Sequence, residues 1–147
     1  MSDKYDCLKL ENQLCFPLYA CSKSVTRRYR PFLEPYDLTY TQYITMMVLW
    51  EEKEINVKCL GERLKLDSGT LTPLLKKLEA KNYISRHRAL NDERNLIIKL
   101  TPDGEALKDE MLKVPEQMSK CMPLTEEEAA ELYRLLDKLM EGTKEEA

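Results

Sequence analysis

Two sets of side chains in this 147-residue chain could do chemistry. The first is a set of five thiols, Cys7, Cys15, Cys21, Cys59 and Cys121. Their number is odd and none forms Cys-x-x-Cys, which speaks against a metal knuckle or a secreted disulfide framework. No metal or cofactor is expected. Cys15 stands two residues before Pro17. Proline fits the first turn of a helix and kinks a helix anywhere later. Either a helix begins near Gln13 to Phe16, or one running from Leu8 bends at Pro17. In the first case Cys15 lies at a helix N-terminus, where the dipole favours a thiolate.

The second set lies between Leu66 and Ala80. Leu71, Leu74, Leu75 and Leu78 follow the i, i+3, i+4, i+7 spacing of one apolar helical stripe. Ser68, Thr70, Thr72, Lys76 and Lys77 fall on the opposite face, with no carboxylate between Thr70 and Lys77. Hydroxyls and lysines suit base edges and phosphates. A core helix with a solvated face would show the same stripe, so its neighbours must decide. Asp67 or Ser68 can cap the first turn. Pro73 is costly unless that turn starts close to it.

The charge is unevenly spread. The chain carries 23 Lys/Arg and 26 Asp/Glu, a net −3. Between Gly61 and Lys99 there are nine basic residues against five acidic, and from Pro102 onward six against thirteen. A basic middle in an acidic chain is compatible with nucleic-acid binding by one segment. No run approaches the ~18 apolar residues of a membrane span, and the first residues lack a signal-peptide apolar core. A cytoplasmic protein without a membrane partner is the expectation.

The elements that must position these residues follow in order. Leu10, Leu14, Leu18, Ala20 or Cys21, Val25 and Tyr29 mark a broad apolar side from Leu8 to about Leu33, closed by Pro31 and Pro35. Thr39 or Thr41 caps a helix to about Trp50, with Tyr43, Met46 or Met47, and Trp50 inward. Glu51 to Glu54 reads as a charged turn. Asn56 caps Val57 to Leu64, where Cys59 is expected to be a small core residue. Cys21 is expected to pack as well, and Cys7 to lie in a mobile end. Two short helices with a tight turn are a helix-turn-helix.

After Asn82 the period changes. Tyr83 to Arg86 and Leu96 to Leu100 read as strands around a polar loop, Arg88 to Asn95, with Asn91-Asp92 as turn chemistry. This hairpin holds Arg86, His87, Arg88 and Arg94. A helix-turn-helix followed by a basic hairpin is a winged helix. Its wing can place arginine in the minor groove while the helix sits in the major groove. Asp92 is expected to hold Arg94 through a charge-assisted bond. Thr101-Pro102 starts a long helix to about Cys121, bent at Pro115. Thr125 to Glu128 is a capping box. Ala129, Leu132, Leu136, Leu139 and Met140 form the stripe of a last helix stopped by Gly142, and the tail after it is expected to fray. The terminal helices carry more apolar face than one small winged helix can cover, so a homodimer is expected.

The fold class is therefore mainly α with a small β-hairpin. One domain is expected over 1–147. A winged helix-turn-helix DNA-binding lobe at 38–100 is flanked by dimerisation helices at 8–35 and 102–142. A two-fold dimer would read an inverted repeat in double-stranded DNA with half-sites about one turn apart.

The chain resembles the MarR family of dimeric winged-helix regulators, and within it the branch of organic-hydroperoxide sensing repressors. The motifs are Leu10 to Phe16, Leu38 to Tyr43, Leu60 to Leu64, the Leu66 to Leu78 stretch, and Asp92-Glu93-Arg94. They extend from about residue 8 to 142. The resemblance implies that Cys15 is the redox-sensing thiol. It implies that Tyr29 and Tyr40 stabilise the thiolate across the dimer, and that Cys121 is a candidate resolving thiol. Pro17 departs from the branch, which has an ordinary helix former there. The implied function is a repressor that leaves its operator on oxidation by an organic hydroperoxide or related oxidant. A regulator answering to a small molecule in the cleft between the lobes is the alternative. A thiol peroxidase is disfavoured, because no catalytic base or donor-docking motif accompanies Cys15. An interaction-only winged helix is disfavoured by the hydroxyl-lysine face and the wing arginines.

Overall fold

The computed structural model describes residues 3–144. Of the tail expected to fray after Gly142, residues 145–147 lie outside them. Two 3-10 turns, Asp6–Leu8 and Leu10–Asn12, precede the first helix, α1 (Cys15–Arg28). The Asn12 side-chain amide donates to the Asp6 carbonyl at 2.7 Å, and that of Gln13 donates to the Cys7 carbonyl. A helix reaching back to Leu8 is thus not formed. Pro17 stands third in α1, where its missing N–H would have had no intrahelical partner. Pro31 ends α1: its ring opposes the carbonyl of Arg27, and a separate turn, α2 (Arg30–Leu33), follows.

Thr39 caps α3 (Tyr40–Glu52) in a complete capping box with Gln42. Met46 is fully buried and Met47 exposed, which resolves the alternative left by the spacing. Of the residues expected to be a charged turn, Glu51 and Glu52 end α3, Lys53 turns the chain at φ 65°, and Glu54 opens a strand, β1 (Glu54–Asn56). It closes a three-stranded antiparallel sheet of order β1-β3-β2, with β2 at Ile84–Ala89 and β3 at Asp92–Leu100. Ile55 of β1 faces Ile98 of β3. The hairpin is longer than its pattern suggests. Residues expected in a polar loop continue both strands, a bulge lies at Arg88/Ala89, and the tip is Leu90-Asn91.

Asn56 caps α4 (Val57–Leu64), and Asp67 caps α5 (Ser68–Ala80). Gly61 makes the tight approach of these two helices. A methyl group there would stand 2.9 Å from the Leu66 carbonyl oxygen and 3.1 Å from a Leu71 methyl. Thr101 caps α6 (Pro102–Met111) through the Gly104 N–H, and α7 (Lys113–Ser119) follows a break at Leu112. Pro115 removes the N–H that would have joined the two. The Trp50 indole N–H donates to the Gly104 carbonyl at 2.9 Å and fixes α6 on α3.

Thr125 and Glu128 form the expected capping box on α8 (Glu126–Gly142). The core gathers Leu33, Met46, Leu49, Leu60, Leu71, Leu75, Leu78, Ile84, Ile98 and Val114, each at most 1% exposed. By contrast, α1 and α8 contain no buried residue. Leu14, Leu132, Leu135, Leu139 and Met140 stand open to solvent in the single chain. Among the described residues no helix is long and apolar enough to cross a membrane.

Candidate nucleic-acid interface and thiol site

The candidate recognition face is built from α5. Leu71, Leu74, Leu75 and Leu78 are buried, and Ser68, Thr70, Thr72, Lys76 and Lys77 are exposed. Asp67 accepts the Thr70 N–H at 2.8 Å. This bond to a free helix N–H holds the Asp67 carboxyl below its usual range. The Thr72 hydroxyl donates back to the Ser68 carbonyl at 2.8 Å, which leaves its acceptor lone pairs outward. Pro73 lies inside the helix, five positions past its start, so the cost foreseen from sequence is present. Lys77 also lines a cleft beside α5.

The wing leaves the end of α5 through a tight joint. Asn82 adopts the left-handed conformation at φ 64°. Its N–H donates to the Glu79 carbonyl at 2.9 Å, and the Tyr83 N–H donates to the Leu78 carbonyl at 3.1 Å, a Schellman closure. The Asn82 amide donates to Asp103 of α6 at 2.8 Å. Arg86, on β2, does not point freely outward. Its Nε and Nη2 donate to Glu79 Oε1 at 3.2 and 3.0 Å, and its backbone N–H donates to Oε2 at 3.1 Å. These bonds hold the Glu79 carboxyl below its ordinary range. Asp92 accepts the backbone N–H of Arg94 at 2.9 Å. The expected bond is therefore made to the main chain and not to the guanidinium, because a carboxylate two residues back closes an Asx turn. Arg94 lines a depression of about 630 Å³ with Lys58, Lys65 and Ser68. His87 is exposed on β2.

The thiols fall differently from their expected places. Cys59 is exposed, because Leu60 takes the inward position beside it. Cys7 and Cys21 are exposed in the single chain too. Cys15 is exposed as the first residue of α1, the first of the two alternatives set by Pro17. Cys121 is half-buried beyond α7, with Arg28 Nη2 3.6 Å from its sulfur.

Tyr29 and Tyr40 meet with ring centroids 4.8 Å apart, and Tyr43 stands 5.8 and 6.4 Å from them. Burial raises all three phenols, with mutual repulsion adding to Tyr29 and Tyr43, and Tyr43 is pushed up to about 12. At neutral pH they are donors. Cys15 begins α1 and Tyr29 follows its end. At 1.5 Å per residue they are roughly 20 Å apart. The structure thus brings Tyr29 and Tyr40 together, places Cys121 near the same end of α1 through Arg28, and leaves Cys15 at the other end.

Sequence reasoning missed Glu79, Lys81 and Arg28. Their partners lie across different elements, which no local spacing announces. Lys81 donates to the Asp37 carbonyl and approaches Gln42 Oε1 at 3.4 Å. It lines a cleft of about 840 Å³ with Lys23, Arg27, Arg30, Lys77 and Tyr40. Among the described residues no group of three or more His, Cys, Asp or Glu could hold a metal.

Comparison with known proteins agrees with the winged-helix fold. Residues 27–111 match the model of the SarA/Rot transcriptional regulator family. The chain is 43% identical over 141 residues to the organic hydroperoxide resistance transcriptional regulator of Bacillus subtilis, covering 96% of each. Reduced AbfR bound to DNA, a Staphylococcus epidermidis protein, superimposes with a TM-score of 0.81 at 34% identity, over 95% of this chain and 96% of that one. A point mutant of MarR from E. coli, complexed with operator DNA, gives 0.75 at 26% identity, over 95% and 99%.

Proposed function

Because the chain belongs to the SarA/Rot family of winged-helix transcriptional regulators, we propose that it is a dimeric cytoplasmic repressor. It binds an inverted-repeat operator and leaves it when an organic hydroperoxide or related oxidant oxidises Cys15. Its family is one of regulators, not enzymes. In this reading all of 1–147 is one unit, and the exposed apolar faces of α1 and α8 pair with those of a second copy.

The observation that carries the reading is the separation of Cys15 from the Tyr29–Tyr40 pair along α1. Antiparallel packing of two α1 helices would set each Cys15 against the phenols of the other subunit, where two neutral donors can stabilise a thiolate. The thiolate attacks the peroxide oxygen distal to the organic group. The O–O bond breaks, the sulfur takes the OH as a sulfenic acid, and the organic oxygen leaves as alkoxide, which takes a proton from solvent to become the alcohol. Cys121 of the partner subunit then attacks that sulfur as thiolate and expels hydroxide, which leaves an intersubunit disulfide and water. The new bond moves the terminal helices under the DNA-binding lobes. On DNA, Ser68, Thr70 and Thr72 reach bases or phosphates, Lys76 and Lys77 phosphates, and Arg94 the minor groove. Asp92 shapes the wing around Arg94.

Operator binding with and without cumene hydroperoxide tests the reading, using wild type and Cys15→Ser. Wild type is expected to release DNA and Cys15→Ser to stay bound. Equal release by both proteins sinks it. A second reading has an observation of its own. The cleft beside α5 presents Lys23, Arg27, Arg30, Lys77 and Lys81 over Tyr29 and Tyr40, which suits an anionic aromatic effector. Such an effector would release DNA from Cys15→Ser as well.

A further inference from the structure

The wing arginines are not equivalent. Arg94 is exposed, whereas the Arg86 side chain is 23% exposed and makes a two-pronged ion pair with Glu79. Glu79 lies in the last turn of α5, and its carbonyl also closes the Schellman turn at Asn82. One residue therefore fixes both the end of the recognition helix and the first residues of the wing. Arg86 in turn sits at the negative end of the α5 dipole, where a cation is favoured. The Nε–H and one Nη2–H are held on one carboxylate oxygen and the backbone N–H on the other, so the guanidinium is fixed against the end of α5, and reaching a phosphate would mean breaking that pair.

We propose that Glu79 and Arg86 form a lock that sets the angle between recognition helix and wing. Arg86 supports operator binding as a positioning residue, through Glu79, without touching DNA. The lock makes α5 and the β2–β3 hairpin one rigid reader, so a half-site is accepted only when its major-groove and minor-groove contacts fall at the fixed angle.

The proposal rests on α5 and the wing being the DNA-binding surface. The probe is an inverted-repeat duplex selected by the full-length wild-type protein from a random pool, read by fluorescence anisotropy over a salt series. Failure to select any duplex defeats that underlying reading; the outcomes below bear on the lock alone. Glu79→Gln and Arg86→Gln are each expected to weaken binding about fivefold, and together no further than the worse of the two, because they break one interaction. The slope of log affinity against log salt is expected to match wild type for both. A direct phosphate contact would lower that slope by about 0.9 on loss of Arg86.

Charge reversal keeps the test decisive if either single variant unfolds. Glu79→Arg combined with Arg86→Glu is expected to bind more tightly than either reversal alone, since the pair reforms with its ends exchanged. The lock is overturned by tighter binding of Glu79→Gln, by a reduced salt slope for Arg86→Gln, or by additive losses in the double variant. Wild-type affinity in both single variants overturns it too.

Discussion

Cys15 and Tyr29 occupy opposite ends of α1, roughly 20 Å apart along its axis. One chain cannot bring its own thiol to its own phenols. If the two groups act together, the reactive site exists only between two subunits, and each dimer carries two of them.

A mixing experiment follows. In a background with Cys7, Cys21 and Cys59 replaced by serine, Cys15→Ser and Cys121→Ser proteins are each expected to give no covalent dimer after peroxide. Heterodimers formed by unfolding and refolding the two together are expected to give one. Non-reducing gel electrophoresis reads the result, and an absent band in the mixture argues against Cys121 as the resolving thiol.

The tyrosine cluster has an alkaline consequence. Tyr43 holds its proton up to about 12 when folded, whereas an exposed tyrosine releases it near 10.0. The folded pKa is the higher one, so this contribution is fully present below pH 10 and is lost as pH rises through about 12. The thermal midpoint is expected to fall across that window, and Tyr43→Phe should flatten the fall. An unchanged slope in the variant would assign the alkaline transition to other groups.

Arg94→Ala is expected to weaken operator binding several-fold for every operator and to lower the salt slope by about 0.9. The exposed guanidinium beside Lys58 and Lys65 distinguishes it from Arg86. Anisotropy titrations at several salt concentrations separate the two arginines.

Gly104 allows α6 to lie against the wing base. A methyl group there would stand 2.2 Å from the Tyr83 carbonyl oxygen and 2.7 Å from a Leu100 methyl. Gly104→Ala is expected to cost at least about 1–3 kcal/mol in urea denaturation, because main chain must move. A midpoint equal to wild type would mean that the joint is softer than it looks.

The apolar face of α8 gives a quaternary prediction. Leu132 and Leu139 are 43% and 39% exposed in the single chain. Replacing both with glutamate is expected to yield a soluble monomer in sedimentation velocity, with operator affinity reduced at least about tenfold by loss of the second half-site. A dimer of unchanged stability would place the interface elsewhere.

Much of the fold was written locally. Thr39 with Gln42, Asn56, Thr101-Pro102, and Thr125 with Glu128 each satisfy free helix N–H groups from nearby in the chain. The α5 leucines were legible because one stripe faces one core. What escaped was non-local. Glu54–Asn56 becomes a strand only because β3 offers an open edge. Cys59 sits in the first helix of the helix-turn-helix, where a small core residue fits the pattern, yet the inward position belongs to Leu60. Arg86 pairs with Glu79 of a different element, which no local spacing announces. The thiol and the phenols were individually conspicuous, and their separation appeared only once α1 had a start and an end.

Trp50 is the single tryptophan of the chain, and its indole is buried with its N–H on the Gly104 carbonyl. It therefore marks the seam between α3 and α6. Its emission provides a native optical gauge of that seam. Titration with peroxide, with DNA or with an anionic effector can each be followed at one wavelength, without an attached dye.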